Sequence, residues 1–235
     1  MRRPLILAAV SFGCILQAGA QSKMMLGFTG GANISRLTTI DSFPGQYSRR
    51  NRLGPSLGIS GLYNLNNSVG LHFGLNMVNK GYKVSNDTLA TDAQIVRKFW
   101  SVNVPLGLNF RQGFGKSNYL TEKFGLIGNF SLRPDSSSFS NGKQNRYRLT
   151  EINHTNPYAM FYLGFGLGGS TESGDRYDFG VTYVQSFSRD TDIRVNYGSG
   201  LSKMFPLQYR GGFLQIGFTY YFNLENFKKG TGYME

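Results

Sequence analysis

Residues 100–110, WSVNVPLGLNF, alternate between two kinds of side chain without an error. One set is Trp100, Val102, Val104, Leu106, Leu108 and Phe110; the other is Ser101, Asn103, Pro105, Gly107 and Asn109. A period of two places the sets on opposite faces of a β-strand. In a sheet with one face in water, the solvated face normally carries charged residues. Here the polar face is small, uncharged and glycine-containing, which suits a cramped interior better than a solvent face. The bulky apolar face is then the outside.

The same alternation recurs in windows 24–36, 53–64, 69–82, 119–132, 157–169, 176–188 and 212–222. Leu26, Phe28 and Ile34 oppose Gly27, Thr29 and Asn33; Phe179, Val181 and Tyr183 oppose Asp178, Gly180 and Thr182. Windows 53–64, 100–110, 157–169 and 212–222 contain no Asp, Glu, Lys or Arg. A soluble β-sandwich would carry charged outer faces on strands like these. Lipid around the apolar face removes that need, but every backbone group must then be satisfied between strands, so the sheet has to close. The expected fold is all-β, a closed eight-stranded antiparallel up-and-down transmembrane β-barrel. Parity assigns His72, Asn76, Asn103, Asn109, Lys123, Tyr162, Asp178 and Gln215 to its lumen. Lys123 and Asp178 are expected to pair across it. Eight strands leave an interior that side chains fill. Pro55 and Pro105 each remove a ladder hydrogen bond, which predicts a bulge or a local opening at each. Tyr158 and Met160 fall on the interior face of their window and break its small, polar character.

The N-terminus reads as an export signal over residues 1–20. Arg2 and Arg3 precede an apolar run from Leu5 to Leu16, and Ala18-Gly19-Ala20 is an A-x-A cleavage site. Cleavage would leave Gln21 first and remove two of the charges that make up the formal net charge of +12. It would also remove Cys14, the one cysteine, so no disulfide would hold the mature chain. Ser11-Phe12-Gly13 is a poor lipidation box ahead of that cysteine. The 31 Gly, 19 Phe and 14 Tyr fit a β-rich protein. Connectors alternate in length: 37–52, 83–99, 133–156 and 189–211 are long, whereas 65–68, 111–118 and 170–175 are short. That is the outer-membrane pattern of long outside loops and tight periplasmic turns, with both termini on the turn side. Residues 21–222 are thus the barrel and 223–235 a polar periplasmic tail.

The long connectors hold fourteen basic and seven acidic residues, while charges in the short turns cancel. The positive excess lies on the side where the outer leaflet presents phosphates. Arg49, Arg50, Arg52, Arg97, Lys98, Arg146, Arg148 and Arg210 are the candidate phosphate contacts, because a guanidinium grips a phosphate bidentately. The expected partners are outer-membrane lipid and lipopolysaccharide, and an envelope protein at the tail. Nucleic acid is not an expected partner of an exported barrel, and the barrel is expected to be a monomer. Motifs for chemistry are sparse. Gly164-Phe-Gly166-Leu-Gly168-Gly169 fits a dinucleotide fingerprint and Gly54-Pro-Ser56-Leu-Gly58 a nucleophile elbow, but both lie in alternating strands rather than strand-to-helix turns. Of two histidines, His72 faces the lumen and His154 lies in the third long connector. No metal site, catalytic residue or cofactor is expected. Two alternatives to a binding or scaffolding role stay open: a narrow channel, and a lipid A-modifying enzyme using His154 with Ser136, Ser137 or Ser138.

The opening strand LGFTGGANIS (26–35), the mid-chain strand FWSVNVPLGLNF (99–110) with Val104-Pro105, and the aromatic last strand IGFTYYF (216–222) resemble the PorT-like outer-membrane β-barrel family of Bacteroidetes. The resemblance spans nearly all of the mature chain, although this chain runs on past Phe222 with NLENFKKGTGYME. It implies an outer-membrane location. Through the name-giving member, it also implies a link to the type IX secretion and gliding machinery.

Overall fold

The computed structural model of the chain describes residues 24–35, 47–86, 94–133, 136–140, 147–153, 157–188, 191–197 and 203–224. Thirteen strands are β1 (Met24–Ser35), β2 (Tyr47–Arg50), β3 (Arg52–Asn64), β4 (Val69–Asn86), β5 (Gln94–Phe114), β6 (Asn118–Leu132), β7 (Ser136–Ser140), β8 (Tyr147–Asn153), β9 (Tyr158–Ser170), β10 (Arg176–Ser186), β11 (Thr191–Tyr197), β12 (Lys203–Tyr209) and β13 (Phe213–Asn223). Eight of them form a ring in the order β1-β3-β4-β5-β6-β9-β10-β13, closed where β13 pairs with β1, and every pair is antiparallel. The eight alternating windows of the sequence are these eight strands.

The faces follow the parity. Phe28, Leu53 and Phe165 are 67%, 69% and 65% exposed, whereas Asn33, Ser101 and Asn109 are 0% exposed. Bulky apolar side chains stand outward around the whole ring, and polar ones fill the inside. Such a surface is unstable in water and stable in hydrocarbon. The apolar band ends toward the long connectors at Trp100, Phe130 and Phe187, and toward the short turns at Tyr63, Phe110, Tyr177 and Phe222. Aromatic rings at both rims match the two interfaces of a membrane.

Both prolines open the wall. The β3–β4 ladder begins at Ser56, one residue past Pro55. The β4–β5 ladder skips Gly74 and Leu75, which lie opposite Pro105 and Val104, respectively. On their other sides, Pro55 pairs with Ala32 and Pro105 with Ile127 without interruption, so each missing N–H is confined to one ladder. Interior side chains close the opening at Pro55. Asn33 Nδ2 donates to Gly54 O (2.9 Å) and Asn79 O (3.2 Å), Ser35 Oγ to Gly81 O (2.8 Å), and Arg52 to the Asn79 carbonyl and side chain. Close wall contact also dictates glycine at two positions. A Cβ on Gly81, whose φ is +154°, would lie 1.9 Å from Arg97 O. One on Gly107 would lie 2.2 Å from Phe124 O and 2.5 Å from the Tyr162 hydroxyl.

The structure departs from the expected loops. The long connectors contain regular strands that prolong the barrel wall. β4 and β5 run on past the apolar band as a hairpin flanked by β2, and β12-β11-β8-β7 form a separate four-stranded sheet. The sheet's members are joined in sequence to β13, β10, β9 and β6, so the wall splits above the membrane into two sheets. Their facing sides pack. Tyr209 lies 5.8 Å from the Tyr82 ring and 5.7 Å from the Phe99 ring, and Ile193 is fully buried. Alternation weakened by loop-like composition hid these strands from the sequence reading.

Candidate functional site

The lumen has two levels. Toward the short turns it is polar. Lys123 Nζ lies 2.7 Å from Asp178 Oδ2, and Tyr119 donates its hydroxyl to Asp178 Oδ1 at 3.0 Å. His72 Nδ1 meets the Tyr162 hydroxyl at 3.1 Å. Farther from the turns, beside Val78 and Tyr158, Gln215 Nε2 donates to Ser56 Oγ at 3.0 Å, and the Asn129 side-chain amide donates to Asn103 Oδ1. A cavity of about 90 Å³ lies among His72, Asn76, Asn103, Lys123, Asp178 and Gln215. That volume holds several water molecules. Asn76 lines it, and its Oδ1 is buried without a hydrogen-bond partner among the described residues. Asn109, also interior, is fully buried.

Above the cavity the lumen becomes apolar. Val78, Ile127, Tyr158, Met160, Tyr162, Val184 and Phe213 pack into one buried cluster. Tyr158 and Met160, which looked anomalous in sequence, are central to this plug. Lys80 is fully buried within it, with Nζ 5.0 Å from the Phe213 ring centroid and 5.7 Å from that of Tyr158. Higher still, Glu151 of β8 joins the two outer sheets. It accepts from Arg97 of β5 through Nε (3.1 Å) and Nη2 (2.9 Å), and from the Tyr82 hydroxyl. Burial, then the Glu151 carboxylate, push the Tyr82 phenol well above its ordinary pKa. Arg133 lies 4.4 Å from the Phe99 ring centroid beside them.

The lipid-facing rim is narrower than the charge count implied. Of the candidate phosphate contacts, Arg50, Lys98 and Arg210 are exposed. Arg52 is 7% exposed and spends its guanidinium on Asn79, and Arg97 is paired with Glu151. Arg52 thus belongs to the wall opening and Arg97 to the roof. The side chains of Arg49 and Arg148, and residue Arg146, lie outside the described residues, as do His154 and the side chains of Ser136, Ser137 and Ser138. Lys83, a connector charge by sequence, stands directly opposite Arg50. Its signal was available in the alternation of β4, continued past residue 82. Glu151 carried none, because its partners come from other connectors. Both glycine motifs lie inside strands, β3 and β9. Among the described residues, no group of three or more His, Cys, Asp and Glu is arranged to hold a metal ion.

Comparison with known proteins agrees with this geometry. The outer membrane protein beta-barrel domain family matches residues 19–192. The chain belongs to that family. It is therefore an outer-membrane protein. Among solved structures, it is similar to the outer membrane protein OprG of Pseudomonas aeruginosa, with a TM-score of 0.50, 12% identity, and 86% of this chain and 97% of that one covered. It is also similar to AlkL in lipid bilayers, with a TM-score of 0.45, 14% identity, and 86% and 91% covered. For Ail of Yersinia pestis the TM-score is 0.39 at 12% identity, with 85% and 99% covered. At these identities the likeness is one of fold. No curated protein sequence matches the chain.

Proposed function

We propose that this chain is a closed, PorT-like scaffold barrel of the outer membrane, exported by a signal peptide over residues 1–20, monomeric and without catalytic activity. Its surfaces, rather than its lumen, do the work. The observation that carries this reading is the sealed interior: an ion-paired polar level, an apolar plug and a roof of two packed sheets lie in series. The periplasmic end supplies a docking point. Asp175, in the turn before β10, accepts from the Tyr220 hydroxyl at 3.1 Å and from Asn223 N at 2.9 Å. This anchors the end of β13 where the polar tail 223–235 leaves the barrel. An envelope assembly, type IX secretion among them, is the partner that the resemblance favours. Cross-linking in cells followed by affinity purification tests it. Full-length protein should retain an envelope protein that a chain lacking residues 225–235 loses while keeping its folded barrel. Equal recovery by both would overturn the tail-docking reading.

The hydrated cavity supports a second reading, a narrow channel. In planar bilayers, the scaffold reading expects no stable conductance from the wild type. A large stable conductance from the wild type would favour the channel.

A further inference from the structure

Three cations share one patch of the outer wall just beyond the membrane. Arg50 of β2 is paired directly with Lys83 of β4, and Lys83 with Val96 of β5, so Lys98 lies diagonally across from Lys83. Direct partners in a sheet have Cβ atoms about 5 Å apart and diagonal ones about 7–8 Å. All three side chains take the outward parity of Met77 and Trp100. Arg50 and Lys98 are exposed and Lys83 is half-buried. None of the three makes an ion pair or side-chain hydrogen bond among the described residues. Residues 47–50, 79–86 and 94–100, which build this wall, contain no Asp or Glu. Nearby Arg52 and Arg97 turn inward to Asn79 and Glu151, which leaves these three as the outward set.

Like charges placed directly opposite across a ladder cost stability, and nothing in the described wall offsets this pair. An anion seated between them would. The height selects which anion. Lys98 is two residues beyond Trp100 on the same face, or roughly 7 Å along the strand. The headgroup layer adds roughly 5–8 Å beyond each side of the hydrocarbon core. Below the cations, exposed Met77 (45%), Leu53 (69%) and Trp100 (38%) offer an apolar bed for acyl chains. We propose that Arg50, Lys83 and Lys98 form a binding site for the phosphate of an outer-leaflet glycolipid. Arg50 contributes a planar two-donor fork, and the lysines contribute mobile charges on its flank. The proposal rests on the outer-membrane location and not on the scaffold reading.

The test uses the full chain in neutral detergent micelles, titrated with diphosphoryl lipid A and with its dephosphorylated counterpart. Trp100, the single tryptophan, reports binding from beside the site. At low salt the wild type should prefer the phosphorylated lipid. The triple variant R50Q/K83Q/K98Q should bind it roughly a hundredfold more weakly, from about a fivefold loss per cation near a charged surface. The variant K116Q/R194Q, which removes two exposed cations elsewhere, should bind like the wild type. Millimolar inorganic phosphate should not compete. The proposal is overturned if the triple variant keeps wild-type affinity, if K116Q/R194Q loses as much, or if free phosphate displaces the lipid.

Discussion

Breaking the Lys123–Asp178 pair measures how far the lumen is sealed by charge. The two groups are 2.7 Å apart, with side chains 15% and 7% exposed. At an effective dielectric constant of about 20, attraction at that distance is roughly 6 kcal/mol, and much of it is offset by desolvation of both ions. Removing one partner leaves the other charge in the barrel interior, which typically costs about 3–5 kcal/mol. The adjoining cavity of about 90 Å³ admits water and moves the expectation to the lower end. Lys123→Met and Asp178→Asn should each cost about 3 kcal/mol. The Tyr119 hydroxyl, 3.0 Å from Asp178 Oδ1, can still donate to an asparagine oxygen there. The double variant, which buries no lone charge, should therefore fall short of the sum of the singles by about 3 kcal/mol. Urea unfolding in phospholipid vesicles, followed by Trp100 emission, gives all four corners of the cycle. Additive costs, or single costs under about 1 kcal/mol, would refute a buried and coupled pair.

Two further outcomes follow from the outer face and the roof. Leu57, 63% exposed in mid-strand, should cost about 2–4 kcal/mol as Leu57→Arg in a bilayer; a cost within about 0.5 kcal/mol, normal for a water-exposed site, would contradict lipid contact. The folded roof holds the Tyr82 proton more tightly than the unfolded chain does, because burial and Glu151 raise the phenol's pKa. Its contribution is therefore complete below about pH 10 and is lost as pH rises through the higher folded value. Hydrogen exchange at β8 and β11 should accelerate above about pH 10 in the wild type and less so in Tyr82→Phe. The same acceleration in both would remove Tyr82 as the cause.

Much of this was legible along the chain because strand parity is a local property. Each residue of a strand faces away from its neighbour whatever the rest of the chain does. WSVNVPLGLNF therefore revealed its own two faces. The missing charges on those faces then told which one meets lipid, and lipid demanded closure. Pro55 and Pro105 announced their ladder breaks for the same reason, since a missing N–H is a property of the residue. Lys123 and Asp178 could be paired in advance because both lie inward near the turn end.

Register and packing between distant segments could not be read this way. Arg50 and Arg52 are two residues apart on the same chain, yet one stands toward the outside and the other is consumed closing a gap in the wall. The difference comes from Asn51 and the interrupted ladder beside Pro55, which shift β2 against β4 relative to β3. Arg97 looked free until Glu151, 54 positions later, was brought to it by the second sheet. Tyr158 and Met160 looked misplaced until Val78, Val184 and Phe213 supplied the rest of the plug. The order of residues thus determined which side chains turn inward and which meet lipid. Which inward side chains meet one another, and which outward cations lack a partner, depended on the alignment of strands far apart in the chain, a relation only the closed structure contains.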